Sequence, residues 1–159
     1  MFEQVVSADE RKRYSAMLAT AADMLADEAD VTANLANIGA LVNMYMDRIN
    51  WVGFYIMRDG VLVLGPFQGK PACVRIKPGF GVCGTAAAQR RVLVVEDVHR
   101  FEGHIACDSA SNSEIVLPIY RQGEVYGVLD VDSPELARFG KLEEEVLGEL
   151  ASKISAFLG

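Results

Sequence analysis

The chain has 159 residues, is 51% apolar and carries five prolines, which suits a single domain (1–159) with a substantial core and leaves little room for a second. Its net charge of −7, from 15 basic and 22 acidic residues, argues against a surface that tracks nucleic-acid phosphates or an anionic membrane. No basic segment precedes an apolar run at the start, no stretch reaches membrane-spanning length, and three cysteines form neither an even secreted framework nor a C-x-x-C pair, so a reducing, cytoplasmic setting is expected.

In chain order, Ser7-Ala-Asp-Glu10 reads as a capping box, and Tyr14, Met17, Leu18, Ala21 and Leu25 recur at helical spacing, which predicts a first helix ending near Asp27. Asp30 or Thr32 caps a second helix with Leu35, Ile38, Leu41, Val42 and Tyr45 as its stripe. Asn50 to Met57 reads as a strand closed by the hairpin turn Asp59-Gly60, with Val61 to Phe67 returning beside it. Val52, Phe54 and Ile56 share one face, and Trp51, Gly53 and Tyr55 the other. Two rings with polar tips on either side of a glycine can line a ligand pocket or simply pack in a sheet, and the strand alone does not choose.

A short strand around Cys73 to Ile76 precedes Gly79, Gly81 and Gly84 and a run of alanines, a tight loop entering a helix whose free N–H groups can hold an anion. The Gly-Lys-Ser/Thr ending of a phosphate loop is missing. Cys83 falls in the first turn, where the helix dipole favours a thiolate. Val92 to Val95 is a buried strand, and Glu96 to Ser111 is a long polar loop holding His99 and His104. Cysteine separations of ten and 24 residues fit no common zinc finger or ribbon, so no structural metal is expected.

Beyond Cys107 the pattern alternates, with Ile115, Leu117 and Ile119 on one side and Glu114, Val116 and Pro118 on the other. A three-residue turn at Arg121-Gln-Gly123, with Gly123 alone left-handed, sets Tyr120 opposite Glu124 and Glu114 opposite Asp130, with Asp132 two residues along. Glu114, Asp130 and Asp132 then cluster beside Cys107. Such a cluster is either a solvated strand end or a site for a cation or proton donor, since crowded carboxylates hold a proton to higher pH. On local electrostatics Cys83 and Cys107 compete as nucleophile. A last helix carries Leu142, Val146, Leu150, Ile154 and Phe157, with Glu143 to Glu145 as a solvated acidic run. The order of elements predicts an α+β fold: a central antiparallel sheet, N- and C-terminal helices on one face, and ligand-covering loops on the other.

The words Trp51-Val-Gly-Phe-Tyr, Gly81-Val-Cys-Gly, His104-Ile-Ala-Cys-Asp, Ser113-Glu-Ile-Val and Val128-Leu-Asp-Val-Asp-Ser, in that order, resemble the free methionine-R-sulfoxide reductases, a GAF-fold family. The resemblance implies that Cys107 attacks the sulfoxide sulfur, that Cys73 resolves, and that Cys83 forms an alternative disulfide. It also implies that Glu114, Asp130 and Asp132 bind the substrate ammonium or protonate its oxygen, and that Trp51 and Tyr55 shape the pocket. Sulfoxide oxygen leaves poorly as oxide, so a carboxyl of raised pKa beside the thiol, and a second thiol to condense with the sulfenic acid, make chemical sense together. Thioredoxin as external reductant, no bound cofactor, and a homodimer follow from the same likeness. A non-catalytic GAF sensor for a small ligand is the alternative, and a zinc-stabilised interaction module a more distant one.

Overall fold

The computed structural model describes residues 3–104 and 110–159, so Cys107 lies outside the described residues. Two helices open the chain, α1 (Glu10–Asp27) and α2 (Val31–Tyr45), followed by β1 (Trp51–Arg58), β2 (Val61–Gly69) and the short β3 (Arg75–Ile76). Then come α3 (Gly81–Gln89), β4 (Leu93–Val95), β5 (Ser113–Arg121), β6 (Glu124–Ser133) and α4 (Lys141–Leu158). The strands form one six-stranded sheet in the order β3-β2-β1-β6-β5-β4, every neighbour antiparallel. No described helix is long and apolar enough to cross a membrane.

Alternation along the central strands sorts side chains into two cores. Val52, Phe54 and Ile56 of β1, Ile115, Leu117 and Ile119 of β5, and Leu129 and Val131 of β6 pack beneath the stripes of α1, α2 and α4. Trp51 and Tyr55 of β1, Val116 of β5 and Val128 of β6 point the other way and meet Val82, Cys83, Ala86 and Ala87 of α3. The terminal helices therefore occupy one face, as expected, and α3 and the loops the other. Burial of these apolar surfaces is the main favourable contribution to folding.

The expected buried strand at Val92 to Val95 is instead the sheet edge β4, with Val94 exposed, and local signals differ from expectation in four further places. The cap of α1 is Asp9, whose carboxylate accepts from Arg11 N at 2.9 Å, while Ser7 Oγ accepts from Asp9 N one step earlier. At the β5–β6 hairpin both Gln122 (φ 50°) and Gly123 (φ 77°) are left-handed, so the turn has two residues, and Arg121 faces Glu124. A register shift between Ile119 and Tyr120 then brings Ile119 opposite Gly127 and Glu114 opposite Asp132, with Val116 opposite Asp130. This is two residues from the expected pairing, which leaves the inner rungs on their expected faces because the strand period is two, whereas at the tip Val125 turns to the second core and Tyr126 to the first.

Fourth, Glu143 is not solvated. It is 7% exposed, accepts from Gly140 N at 2.9 Å and lies 3.8 Å from the guanidinium of Arg138, which is itself 6% exposed. Arg138 also donates to the Asp47 carbonyl and carboxylate (3.0 and 3.1 Å) and to Tyr14 Oη at 3.4 Å, and its backbone N–H donates to Ser113 Oγ. One buried cation thus joins α1, the segment after α2, the start of β5 and α4. Arg138→Met leaves Glu143 buried without its cation, and a loss of about 3 kcal/mol or more is expected. A lowered urea midpoint at unchanged denaturant slope would show it, and a midpoint equal to the parent's would contradict it.

Candidate active site

Between the second core and the loops lies a cavity with about 510 Å³ of empty space, its open mouth included. Its polar wall comes from adjacent strands. Asp130 and Asp132 sit on β6, flanked across the sheet by Glu114 of β5 and by Trp51 and Gly53 of β1. Alternation points all three carboxyls at the cavity, together with Trp51, Tyr55, Ile76, Cys83, His104 and Ser111. No lysine or arginine is among the described residues lining it.

The acids are buried: Glu114 is 8% exposed, Asp130 5% and Asp132 9%. Burial, and next the neighbouring carboxyl of Asp130, holds the Glu114 proton well above the usual carboxylate range. Asp130 is raised in the same way, by burial first and the charge of Asp132 second. Glu114, Asp132 and the Cys83 thiol all act on the Asp130 carboxyl, and its Oδ1 is buried with no hydrogen-bond partner among the described residues. One buried acceptor of the cluster is thereby left for a ligand.

Cys83 stands in the first turn of α3, but the expected thiolate does not form there. The residue is 4% exposed, and burial, followed by the charges of Asp130 and Glu114, raises its thiol pKa, so desolvation and like charge outweigh the helix dipole. It is a free thiol. Cys73 is half-buried beside the second core and is disulfide-bonded.

The two aromatic residues that β1 turns toward the cavity have committed polar tips. Tyr55 Oη donates to the Cys73 carbonyl at 2.9 Å, and Trp51 Nε1 donates to the Lys70 carbonyl at 3.1 Å. They thereby fix the segment carrying Cys73 while their rings line the cavity. Burial raises the Tyr55 pKa, with Asp130 adding to it, so its proton stays in that bond. Gly53 is not open space: a Cβ there would overlap Phe67 and the Trp51 ring, and these two rings stack at 5.3 Å.

The structure therefore brings Trp51, Tyr55, Cys83, Glu114, Asp130 and Asp132 to one cavity and holds Cys73 at its margin. His104 and Ser111 also line it; sequence reasoning does not single them out as site residues, although the length of their loop points to that region. His104 has its pKa lowered by burial and by His99, whose ring lies 6.3 Å away edge-on. Among the described residues, the group able to hold a metal ion is Cys83, Glu114 and Asp130, which includes neither histidine.

The GAF domain family model matches residues 16–158. The chain is 52% identical over 135 residues to the free methionine-R-sulfoxide reductase of Escherichia coli, covering 85% of this chain and 82% of that protein. It is 43% identical over 131 residues to the Saccharomyces cerevisiae protein of the same name, covering 77% and 72%. The Neisseria meningitidis free methionine-R-sulfoxide reductase, solved in complex with its substrate, superposes with a TM-score of 0.94 at 43% identity over 99% of this chain and 96% of that one.

Proposed function

Because the chain belongs to the GAF family and, within it, to the free methionine-R-sulfoxide reductases, a family of oxidoreductases, we propose that it reduces free L-methionine (R)-S-oxide to methionine through its cysteines. The observation that carries this reading is the convergence of three acidic side chains, two with raised pKa values, on one cavity lined by Trp51 and Tyr55.

In this reading the substrate ammonium supplies the cation that the cavity wall lacks, set against the acid cluster through Asp132. The substrate carboxylate meets the backbone N–H groups at the start of α3. Gly81 and Val82 line the cavity there, and Phe80, the capping residue, makes no side-chain hydrogen bond to them. A peptide-bound methionine sulfoxide lacks both charges, which accounts for a preference for the free amino acid.

Cys107 attacks the sulfoxide sulfur as the Glu114–Asp130 pair delivers a proton to the departing oxygen. A bond forms from the Cys107 sulfur to the substrate sulfur as the protonated oxygen departs as hydroxide; hydroxide then attacks the Cys107 sulfur, the sulfur–sulfur bond breaks, methionine leaves, and Cys107 becomes a sulfenic acid. Cys73 then displaces the sulfenic hydroxyl, which leaves as water, and a disulfide forms. Support for Cys73 over Cys83 in this role comes from its state: Cys73 is disulfide-bonded, while Cys83 is a buried thiol kept protonated. Recycling needs an external dithiol, which we take to be thioredoxin, with no bound cofactor. A cytoplasmic homodimer completes the reading.

A pulse of free methionine (R)-sulfoxide given to reduced protein without reductant should yield one methionine and consume two thiols per chain, with the S epimer inert. Thiol titration and amino-acid analysis check both quantities. Binding of the sulfoxide with no loss of thiol would leave a ligand-sensing GAF domain instead.

A further inference from the structure

The acid cluster contains one group that the reduction does not require where it stands, the Cys83 thiol. Its sulfur, a Glu114 carboxylate oxygen and an Asp130 carboxylate oxygen all lie within 4.8 Å of one another, and all three residues are buried. They come from three separate elements, α3, β5 and β6, so their mutual placement is fixed by the fold. Asp130 lines the cavity, and its Oδ1 is an acceptor buried on a residue 5% exposed, with no hydrogen-bond partner among the described residues. We propose that Cys83, Glu114 and Asp130 form a site for a thiophilic divalent cation, zinc above all, whose occupation excludes the amino-acid substrate from the cavity.

The coordination chemistry fits. Zinc takes thiolate sulfur at about 2.3 Å and carboxylate oxygen at about 2.0–2.2 Å, so tetrahedral ligand atoms stand roughly 3.5 Å apart. Side-chain torsion has only to close the present cluster by about an ångström. Three protein ligands leave a fourth position facing the cavity. A thiol among the ligands selects against magnesium and calcium, which prefer all-oxygen shells. The ion would occupy the corner to which the substrate ammonium and sulfoxide oxygen are assigned, so exclusion of substrate rests on the proposed function whereas cation binding does not.

Binding must displace the protons now held by Cys83 and by the Glu114–Asp130 pair, and it therefore strengthens as pH rises. Asp132 from β6, Tyr55 from β1 and His104 from the long loop also line the cavity. Asp132 adds to the attraction, and Tyr55 keeps its proton.

The test uses the disulfide form of the protein, in which Cys83 remains a thiol, so that the other cysteines offer no competing thiolates. Cadmium titration should give a thiolate-to-metal ultraviolet band saturating at one equivalent per chain, with proton release in weak buffer and displacement by zinc. Cys83→Ser should abolish the band, and Asp130→Asn should weaken zinc binding at least about tenfold. Should Cys83→Ser not fold, the zinc affinity of Asp130→Asn decides by itself. Absence of the band in the parent, its survival in Cys83→Ser, or unchanged zinc affinity in Asp130→Asn overturns the site. Free methionine sulfoxide should raise the apparent zinc Kd in proportion to its concentration. If the sulfoxide binds beside zinc without competing, the exclusion fails. If the sulfoxide does not bind the reduced protein either, the proposed function fails and the cation site stands on the first readout.

Discussion

Cys107→Ser is expected to form no methionine from free methionine sulfoxide, a fall in turnover of at least about a thousandfold, because a serine hydroxyl at that position has neither the acidity nor the nucleophilicity of a thiol. Cys73→Ser should behave differently. It releases a first equivalent of methionine and then stalls, since the sulfenic acid has lost its fast resolving partner. A sulfenic-acid trap such as dimedone should label Cys107 in that variant and should leave the Cys107→Ser protein unlabelled. Single-turnover methionine release with mass spectrometry of the trapped peptide separates the two. Full turnover by Cys107→Ser would remove the assigned nucleophile. Fast disulfide formation by Cys73→Ser would move the resolving role to Cys83, against the burial and the acid neighbours that keep that thiol protonated.

The second large effect is at Glu114. Glu114→Gln keeps the shape of the side chain and removes the transferable proton, and a loss of about 10²- to 10⁴-fold in kcat/KM is expected, the usual contribution of a general acid. The parent should lose activity as pH rises through the folded pKa of the Glu114–Asp130 pair, and the variant should lose this limb. Stability responds in a linked way. Both carboxyls are raised in the folded chain, so between the unfolded pKa, about 4, and the folded one, the folded state binds more protons than the unfolded state. Stability is therefore full at acid pH and declines as pH rises through that window. Each unit of separation costs about 1.4 kcal/mol. Glu114→Gln should flatten the decline and unfold at higher urea than the parent at neutral pH, while being the poorer enzyme. A steeper decline, or an alkaline limb unchanged in the variant, would move the proton elsewhere. A site that functions by crowding acids on a buried wall is expected to be paid for in stability.

Much of this site is legible in the sequence because strand alternation is robust. Glu114, Asp130 and Asp132 occupy one face whichever even register is chosen, and Trp51 and Tyr55 share it through β1. The register itself is less legible. Gln122 takes a left-handed conformation that glycine, asparagine or aspartate would adopt at lower cost, so turn chemistry favours the longer loop, and the irregularity at Ile119 and Tyr120 carries no residue signature. Cys83 shows a different limit. The helix start is visible, but the thiol's proton is decided by acids from β5 and β6, about 30 or more residues away along the chain, whose effect depends on burial. The same holds for Arg138 and Glu143. The local sequence reads as a charged loop and a polar helix start, and only the approach of Asp47 and Tyr14 from the first part of the chain shows a buried network.

The irregularity at Ile119 and Tyr120 also bears on how such a chain can change over time. It separates the outer end of the β5–β6 hairpin, where Arg121 faces Glu124, from the inner end, where Glu114 faces Asp132. Beyond it an odd change in the length of the tip can be absorbed at the kink before it reaches the inner rungs, as long as the bonds that Gln122 makes to Gly159 and Gly123 to Arg90 move with it. Lineages can therefore remodel that outward-facing tip, and whatever it touches, without rotating a single carboxyl out of the cavity.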